Sequence, residues 1–417
     1  MNYFGTDGIR GIVGVDLYYA TIIKLGNALK KLNYDSVYIG YDTRKTAKII
    51  KTLLVKGIPN NIKIYDIGVA STPEIMYISG KYNALGIAIT ASHNPAKYNG
   101  IKLIINGCKP KKKDLDLISS YLSSNSIRLY NNFSIKIDLH QDYISYLSKF
   151  LVKSNMKAVI DSANGALYNI SRLVLDNVFE NTIHIGCNPN GTNINDKCGA
   201  LYLESLINTV YENKYDIGIA FDGDGDRIIV IDKNGNVIDG DLIAYILANH
   251  MNLNKIALTK MADLGIINEY KKKGIKVYIS DVGDTNLLEL MEEKEILLGS
   301  EASGHIIPRM YTHIGDGLFN LLLLINAVNN GLNIEKLYDS IEKYYTKTIN
   351  IDLFEGYHPN ILDDIIYKYE NLYKDDFKLI FRKSGTENLI RLTICMKKEE
   401  DALKVLDECM NEIKKIA

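Results

Sequence analysis

Three carboxylates alternate with two glycines in Asp222-Gly223-Asp224-Gly225-Asp226, and Arg227 follows at once. Glycine spacing lets a tight loop turn several carboxylate oxygens toward one centre, and oxygen-only ligation suits a hard cation such as Mg²⁺ or Ca²⁺. The calcium EF-hand pattern does not fit. Its glycine position is Arg227, its closing glutamate position is Lys233, and the flanks read as strands rather than helices. Strand flanks would bury the loop, where three adjacent carboxylates repel one another unless a cation balances them.

Four other segments carry chemically useful residues. In Thr90-Ala91-Ser92-His93-Asn94-Pro95 a serine ends an apolar strand, and the Asn-Pro pair fixes the turn that follows. A serine hydroxyl is a weak nucleophile until a base or a metal activates it. His93 adjoins the serine, and Asn99-Gly100-Ile101-Lys102 brings Lys102 back toward it on the next strand. Glu301-Ala302-Ser303-Gly304-His305 gathers a carboxylate, a hydroxyl and an imidazole, a set suited to sugar hydroxyls. Arg382-Lys383-Ser384-Gly385-Thr386-Glu387, with Arg391 beyond it, joins a forked guanidinium to hydroxyls and a glycine that lets backbone N–H groups turn inward, as in phosphate-holding loops. It lacks the GxxxxGK[ST] spacing of a P-loop. Phe4-Gly5-Thr6-Asp7-Gly8-Ile9-Arg10-Gly11 is glycine-rich and carries Arg10, but contains no dinucleotide-binding GxGxxG.

The elements that must position these loops alternate. Short Ile- and Val-rich runs separate longer amphipathic stretches, the pattern of α/β units with largely parallel strands. Residues 18–32 read as a helix, with residues 36–40 and 83–90 as strands. A second unit runs from about residue 157 to residue 231. A third contains a helix at 241–251 and strands at 255–259, 276–280 and 295–298. The tail reads as a small α+β unit, with a helix at 360–372, a strand–loop–strand segment at 378–396 and a closing helix at 399–416. Gly86-Ile87-Ala88-Ile89-Thr90 resembles Gly218-Ile219-Ala220-Phe221-Asp222, and residues 295–298 enter the Glu301 loop in the same manner, which hints at internal repetition. The boundaries expected are 1–148, 149–236, 237–345 and 346–417.

A chain of 417 residues is long enough for several cores. Its net charge of −1 provides no global basic field for nucleic acid or anionic lipid, so a bound anion must be held locally. The five cysteines are scattered without a CxxC pair, which indicates neither a disulfide framework nor a zinc site. The opening residues lack the basic and apolar regions of a signal peptide. The apolar run at 319–328 falls far short of the roughly 20 residues of a membrane span. A cytoplasmic location is expected, with no nucleic-acid or membrane partner.

Taken in order, these segments resemble the α-D-phosphohexomutases almost from end to end. The resemblance implies an α/β fold of three related α/β domains with mixed sheets and a smaller α+β C-terminal domain, set around a central active-site cleft. It implies that Ser92 carries a phosphoryl group, and that Ser92, Asp222, Asp224 and Asp226 hold one Mg²⁺ per subunit. Lys102 then matches a general acid/base, with Arg10, Arg227 and His93 near the transferring phosphate. Glu301, Ser303 and His305 would read sugar hydroxyls, while Arg382, Ser384, Gly385, Thr386 and Arg391 would hold the phosphate that stays. A hexose 1,6-bisphosphate is the implied intermediate and activator, and the subunit is expected as a monomer or homodimer. Within the family, Phe4 to Gly11 is most similar to the phosphoglucosamine mutase branch, which interconverts glucosamine 6-phosphate and 1-phosphate. Thr90, Ala302 and Thr285 depart from that branch, where Ser, Gln and Arg are usual. The alternative is a phosphomannomutase/phosphoglucomutase.

Overall fold

The computed structural model describes residues 4–5, 8–123, 126–383 and 389–415. Its strands form four sheets, each made from one continuous stretch of chain. The first contains β1 (Ile9–Ile12), β2 (Ser36–Tyr41), β3 (Lys63–Val69), β4 (Leu85–Ile89), β5 (Tyr98–Ile105) and β6 (Ser134–Lys136), in the order β1-β5-β4-β2-β3-β6. The second contains β7 (Lys157–Asp161), β8 (Asn181–Ile185), β9 (Ile217–Phe221), β10 (Ile228–Asp232) and β11 (Val237–Ile238), in the order β11-β10-β9-β7-β8. The third contains β12 (Lys255–Thr259), β13 (Lys276–Ser280), β14 (Leu298–Ser300) and β15 (Ile306–Pro308), in the order β13-β12-β14-β15. The fourth is small and antiparallel, with β16 (Tyr345–Asp352), β17 (Phe377–Lys383) and β18 (Leu389–Met396) in the order β16-β18-β17.

The repetition hinted at in the sequence is a shared device. Each of the first three sheets has a parallel part whose last strand turns into an antiparallel neighbour: β4 into β5, β9 into β10, and β14 into β15. The Ser92, Asp222–Arg227 and Glu301–His305 loops are the three turns of these hairpins. Each loop therefore leaves the carboxyl end of a parallel strand, where ligands bind in open α/β sheets. Two strands begin later than their apolar runs suggest. Asn83 (φ 47°) and Glu295 (φ 51°) adopt left-handed conformations, and the next residues bond back into the preceding helices, Ala84 N–H to the Ser79 carbonyl and Ile296 N–H to the Met291 carbonyl. As a result β14 starts at Leu298 and takes in Gly299 and Ser300, which the sequence had placed in the loop.

The longest apolar run forms the helix Gly317–Asn329, apolar on nearly every face and correspondingly buried. Asp316 caps it by accepting the Phe319 N–H at 3.0 Å, and Tyr143 Oη donates to both Asp316 oxygens at 2.9 Å. Among the described residues no single helix is long and apolar enough to cross a membrane. Phe319 is fully buried, with Phe150 edge-on at 4.8 Å and Tyr311 at 5.2 Å between ring centroids. Phe319→Ala should therefore cost about 3–5 kcal/mol of unfolding free energy, read from the transition that reports this core. A loss below about 1 kcal/mol would show that the ring is not a keystone of the core.

Candidate active site

Ser92 sits at the first hairpin turn with φ 50°, a left-handed conformation that a serine adopts only when its surroundings impose it. Of those surroundings, Asp42, Arg44, Thr90 and Asn195 are polar and buried. The Ser92 N–H donates to Thr90 Oγ1 at 2.9 Å, and Thr90 Oγ1 donates to Asp42 at 2.7 Å. Arg44, absent from the sequence reading, uses all five guanidinium donors, four of them on carbonyls of the segment 92–98. Nε bonds to Asp42 at 2.8 Å, Nη1 to the Pro95 and Tyr98 carbonyls at 2.6 and 2.9 Å, and Nη2 to the Ser92 and Asn94 carbonyls at 2.9 and 2.7 Å. Asn195, from the second sheet's unit, adds Nδ2 contacts to the same Ser92 and Asn94 carbonyls at 2.8 and 3.1 Å.

Across from the serine stands the carboxylate loop. Ser92 Oγ donates to Asp222 Oδ2 at 2.6 Å. Close approach of the two loops requires glycine at 223, where a Cβ would lie 2.6 Å from the Ser92 carbonyl oxygen. Asp222, Asp224 and Asp226 are buried and each offers an oxygen within 4.8 Å of the others. Thr72 Oγ1, at the start of the helix Thr72–Lys81, donates to Asp224 Oδ2 at 2.5 Å. Lys102 Nζ, on β5, lies 2.8 Å from Asp224 Oδ2 and 3.0 Å from Asp226 Oδ2. The remaining oxygens, Asp224 Oδ1 and Asp226 Oδ1, are buried with no hydrogen-bond partner. An all-oxygen donor set with two unsatisfied carboxylate oxygens beside a serine hydroxyl fits a hard divalent cation.

The electrostatics reflect crowded negative charge. Burial, together with Asp226 and Asp224, pushes the Asp222 carboxyl well above its usual range. Asp226 also pays for burial, yet Lys102, His305 and Arg227 hold it well below its usual range. Arg227 is buried against the same carboxylates, which outweigh that burial and keep its guanidinium even more firmly charged. His93 Nδ1 lies 3.3 Å from Ser92 Oγ. Burial, then the positive charges of Arg227 and Arg10, lower its pKa to about 3, so the ring is neutral near pH 7. Arg10 lies on β1 opposite Gly100 of β5, which places it beside the serine hairpin.

The third loop meets the second. Arg227 and His305 form an isolated antiparallel bridge, and the Ile228 N–H donates to the Gly304 carbonyl at 3.0 Å. Gly304 has φ 94°, and a Cβ there would lie 2.4 Å from the Ile228 carbonyl oxygen. Glu301 Oε1 accepts the Gly283 N–H at 2.9 Å, and Ser303 Oγ is 3.4 Å from Oε2. His305 is only 2% exposed. Its Nε2 accepts the Gly315 N–H at 3.2 Å and its Nδ1 stands 3.7 Å from Asp226. The ring thus also helps join the second and third loops.

In the fourth sheet, Arg382 on β17 faces Arg391 on β18 directly. Like charges opposite one another destabilise an antiparallel pair unless an anion joins them. Burial and Arg391 lower the Arg382 pKa, and Glu301 of the third loop counters them. Ser384, Gly385 and Thr386 lie outside the described residues.

A fold of three α/β units that deliver a serine, a carboxylate trio and a polar loop to one place has clear relatives. Residues 1–128, 141–235 and 239–345 match, in turn, α/β/α domains I, II and III of phosphoglucomutase/phosphomannomutase. The chain belongs to that family, the phosphohexomutases. It is 33% identical over 429 aligned positions to the phosphoglucosamine mutases of Staphylococcus aureus and Staphylococcus epidermidis, covering 96% of this chain and 95% of theirs. In fold it is similar to a phosphoglucomutase/phosphomannomutase family protein of Burkholderia thailandensis, with TM-score 0.83, 18% identity and coverage of 100% of this chain and 97% of that one. It is also similar to an Aspergillus fumigatus N-acetylphosphoglucosamine mutase solved with GlcNAc-6P and magnesium, with TM-score 0.70, 15% identity and coverage of 99% and 96%.

The Arg44 clamp makes a direct prediction. Arg44→Lys keeps the charge but offers three donors where five are used, leaving buried acceptors unsatisfied at about 1–3 kcal/mol each. The Ser92 loop should then shift, and a misplacement of about 1 Å costs on the order of 100-fold in rate. The expected outcome in steady-state kinetics is a fall in kcat of that size with KM changed by only a few-fold. An unchanged kcat would mean that the loop holds its conformation without the clamp.

Proposed function

We propose that the protein interconverts hexosamine 6-phosphate and hexosamine 1-phosphate, with glucosamine 6-phosphate and glucosamine 1-phosphate as the pair. The observation that carries the reading is the buried contact of Ser92 Oγ with Asp222 inside the carboxylate trio, 2.6 Å long. The relatives support the choice of sugar, since full-length proteins 33% identical to this chain are phosphoglucosamine mutases. A second reading, phosphomannomutase/phosphoglucomutase, draws support from the departures at Thr90, Ala302 and Thr285. Assays on glucosamine, N-acetylglucosamine, glucose and mannose phosphates separate the two.

The cycle begins with a phosphoryl group on Ser92. The bond from phosphorus to Ser92 Oγ breaks as one forms to the free sugar hydroxyl. The hydroxyl proton leaves and Ser92 Oγ ends protonated, so charge and atoms balance. The bisphosphate formed turns round, and its other phosphate returns to Ser92 by the same exchange. Catalysis of this kind is mainly positioning and charge stabilisation. Ser92, Asp222, Asp224 and Asp226 would hold one Mg²⁺, which supplies positive charge against the transferring phosphoryl oxygens. Arg10 and Arg227 add fixed positive charge on the same side. Lys102 is the group we assign to moving the sugar proton, and neutral His93 is a hydrogen-bond partner for Ser92 Oγ. Glu301 and Ser303 orient sugar hydroxyls, with His305 bracing their loop against the carboxylates. Arg382 and Arg391, with Ser384, Gly385 and Thr386, hold the phosphate that is not transferred. We place the enzyme in a reducing cytoplasm, where its five free cysteines stay unpaired, as a monomer or homodimer.

The test is phosphoryl bookkeeping. Enzyme stripped of phosphate should be silent with a hexosamine monophosphate alone and regain activity on adding catalytic hexose 1,6-bisphosphate. The restored protein should be heavier by one phosphate, stable to hydroxylamine and mapped to Ser92, and Ser92→Ala should not recover. Hydroxylamine-labile phosphate on Asp222, or full activity of Ser92→Ala, contradicts the mechanism.

A further inference from the structure

The two transfers are separated by a step in which the bisphosphate must let go, turn and rebind without escaping. The loops that surround it are joined pairwise. Thr72 binds Asp224 between the first and second units, and Arg227 bridges His305 between the second and third. A third joint closes the ring between the first and third units. Lys109 Nζ, just after the turn that ends β5, forms an ion pair with Asp284 Oδ2. Both side chains are largely buried, Lys109 14% and Asp284 10% exposed.

Each end of this pair is wired to the site. Lys109 and Lys102 line one cavity of about 100 Å³, together with Gly8, Thr72 and Thr285. Asp284 opens the helix Asp284–Glu293, and the residue before it, Gly283, donates its N–H to Glu301 Oε1 at 2.9 Å. Asp284 Oδ2 also lies 3.9 Å from His305 Nε2. The carboxylate placed to read the sugar is thereby referenced, through one backbone N–H and one ion pair, to the strand that carries Lys102.

We propose that the Lys109–Asp284 pair is a positioning latch that holds the Glu301 loop against the Ser92–Lys102 hairpin and so retains the bisphosphate while it turns. This rests on the mutase reading above. Neither residue is among those assigned above to the metal, to proton transfer or to the phosphates, so loss of the pair should act on retention before it acts on transfer.

The experiment compares parent enzyme, Lys109→Met, Asp284→Asn and Lys109→Arg, using glucose 1,6-bisphosphate as activator and phosphoenzyme labelled with ³²P. Lys109→Met and Asp284→Asn should raise the activator concentration for half-maximal rate at least tenfold and shed labelled bisphosphate into solution during turnover. Their kcat at saturating activator should stay within threefold of the parent, and Lys109→Arg should retain the label nearly as well as the parent. A residue that merely supports the fold would lower the unfolding temperature without changing this partition. Parent-like retention in Lys109→Met overturns the latch, as does Lys109→Arg leaking like Lys109→Met. If Lys109→Met does not fold, the isosteric Asp284→Asn decides by the same criterion. A parent enzyme that no bisphosphate activates overturns the mutase reading, and the latch with it, before any variant is compared.

Discussion

Everything in this molecule is arranged around three carboxylates held in a buried space beside one serine. At separations of up to 4.8 Å, two unit charges repel by at least about 3.5 kcal/mol at an effective dielectric near 20. The fold answers with Lys102 from one unit, Arg227 from the loop itself and the Thr72 hydroxyl, and still leaves two carboxylate oxygens unsatisfied. That residual demand for positive charge is what makes the site suited to a divalent cation. A divalent cation that met this demand would also offset the charge of a phosphoryl group on the neighbouring serine.

Meeting that demand requires loops from separate sheets to approach almost to contact, and one structural device serves all three. A parallel strand ends, the chain turns, and an antiparallel strand returns, so the turn is anchored on both sides by a sheet. Backbone-to-backbone closeness follows, which is why Gly223 and Gly304 admit no side chain. The fourth sheet contributes through a different economy. Two arginines paired across β17 and β18 are unfavourable for the sheet alone, and an anion held between them would offset that.

The loops that the structure brings together were legible in the sequence because their signals are local: alternating Asp and Gly, and a serine before Asn-Pro. The α/β alternation was equally plain. What could not be read were partners far apart in the chain. Arg44 and Ser92 are 48 residues apart, Asn195 and Ser92 103, Thr72 and Asp224 152, and Lys109 and Asp284 175. Arg44, Asn195, Thr72, Lys109 and Asp284, taken alone, look like ordinary surface or cap residues. His305 shows the converse. Its motif marks it as a ligand-reading group, and its burial beside Gly315 and Asp226 is a feature the motif alone does not show. Strand limits were misjudged where Asn83 and Glu295 end helices in left-handed turns, a conformation that apolar patterning does not register.

If the carboxylate trio serves phosphoryl transfer at Ser92, Asp222, Asp224 and Asp226 would hold one divalent cation beside the phosphorylated serine. Anomalous diffraction from crystals of the phosphorylated enzyme soaked in Mn²⁺ tests it most directly. The account predicts a single strong peak among Asp222, Asp224, Asp226 and phosphorylated Ser92. A peak elsewhere, or a carboxylate trio that stays metal-free with Ser92 phosphorylated, would contradict it.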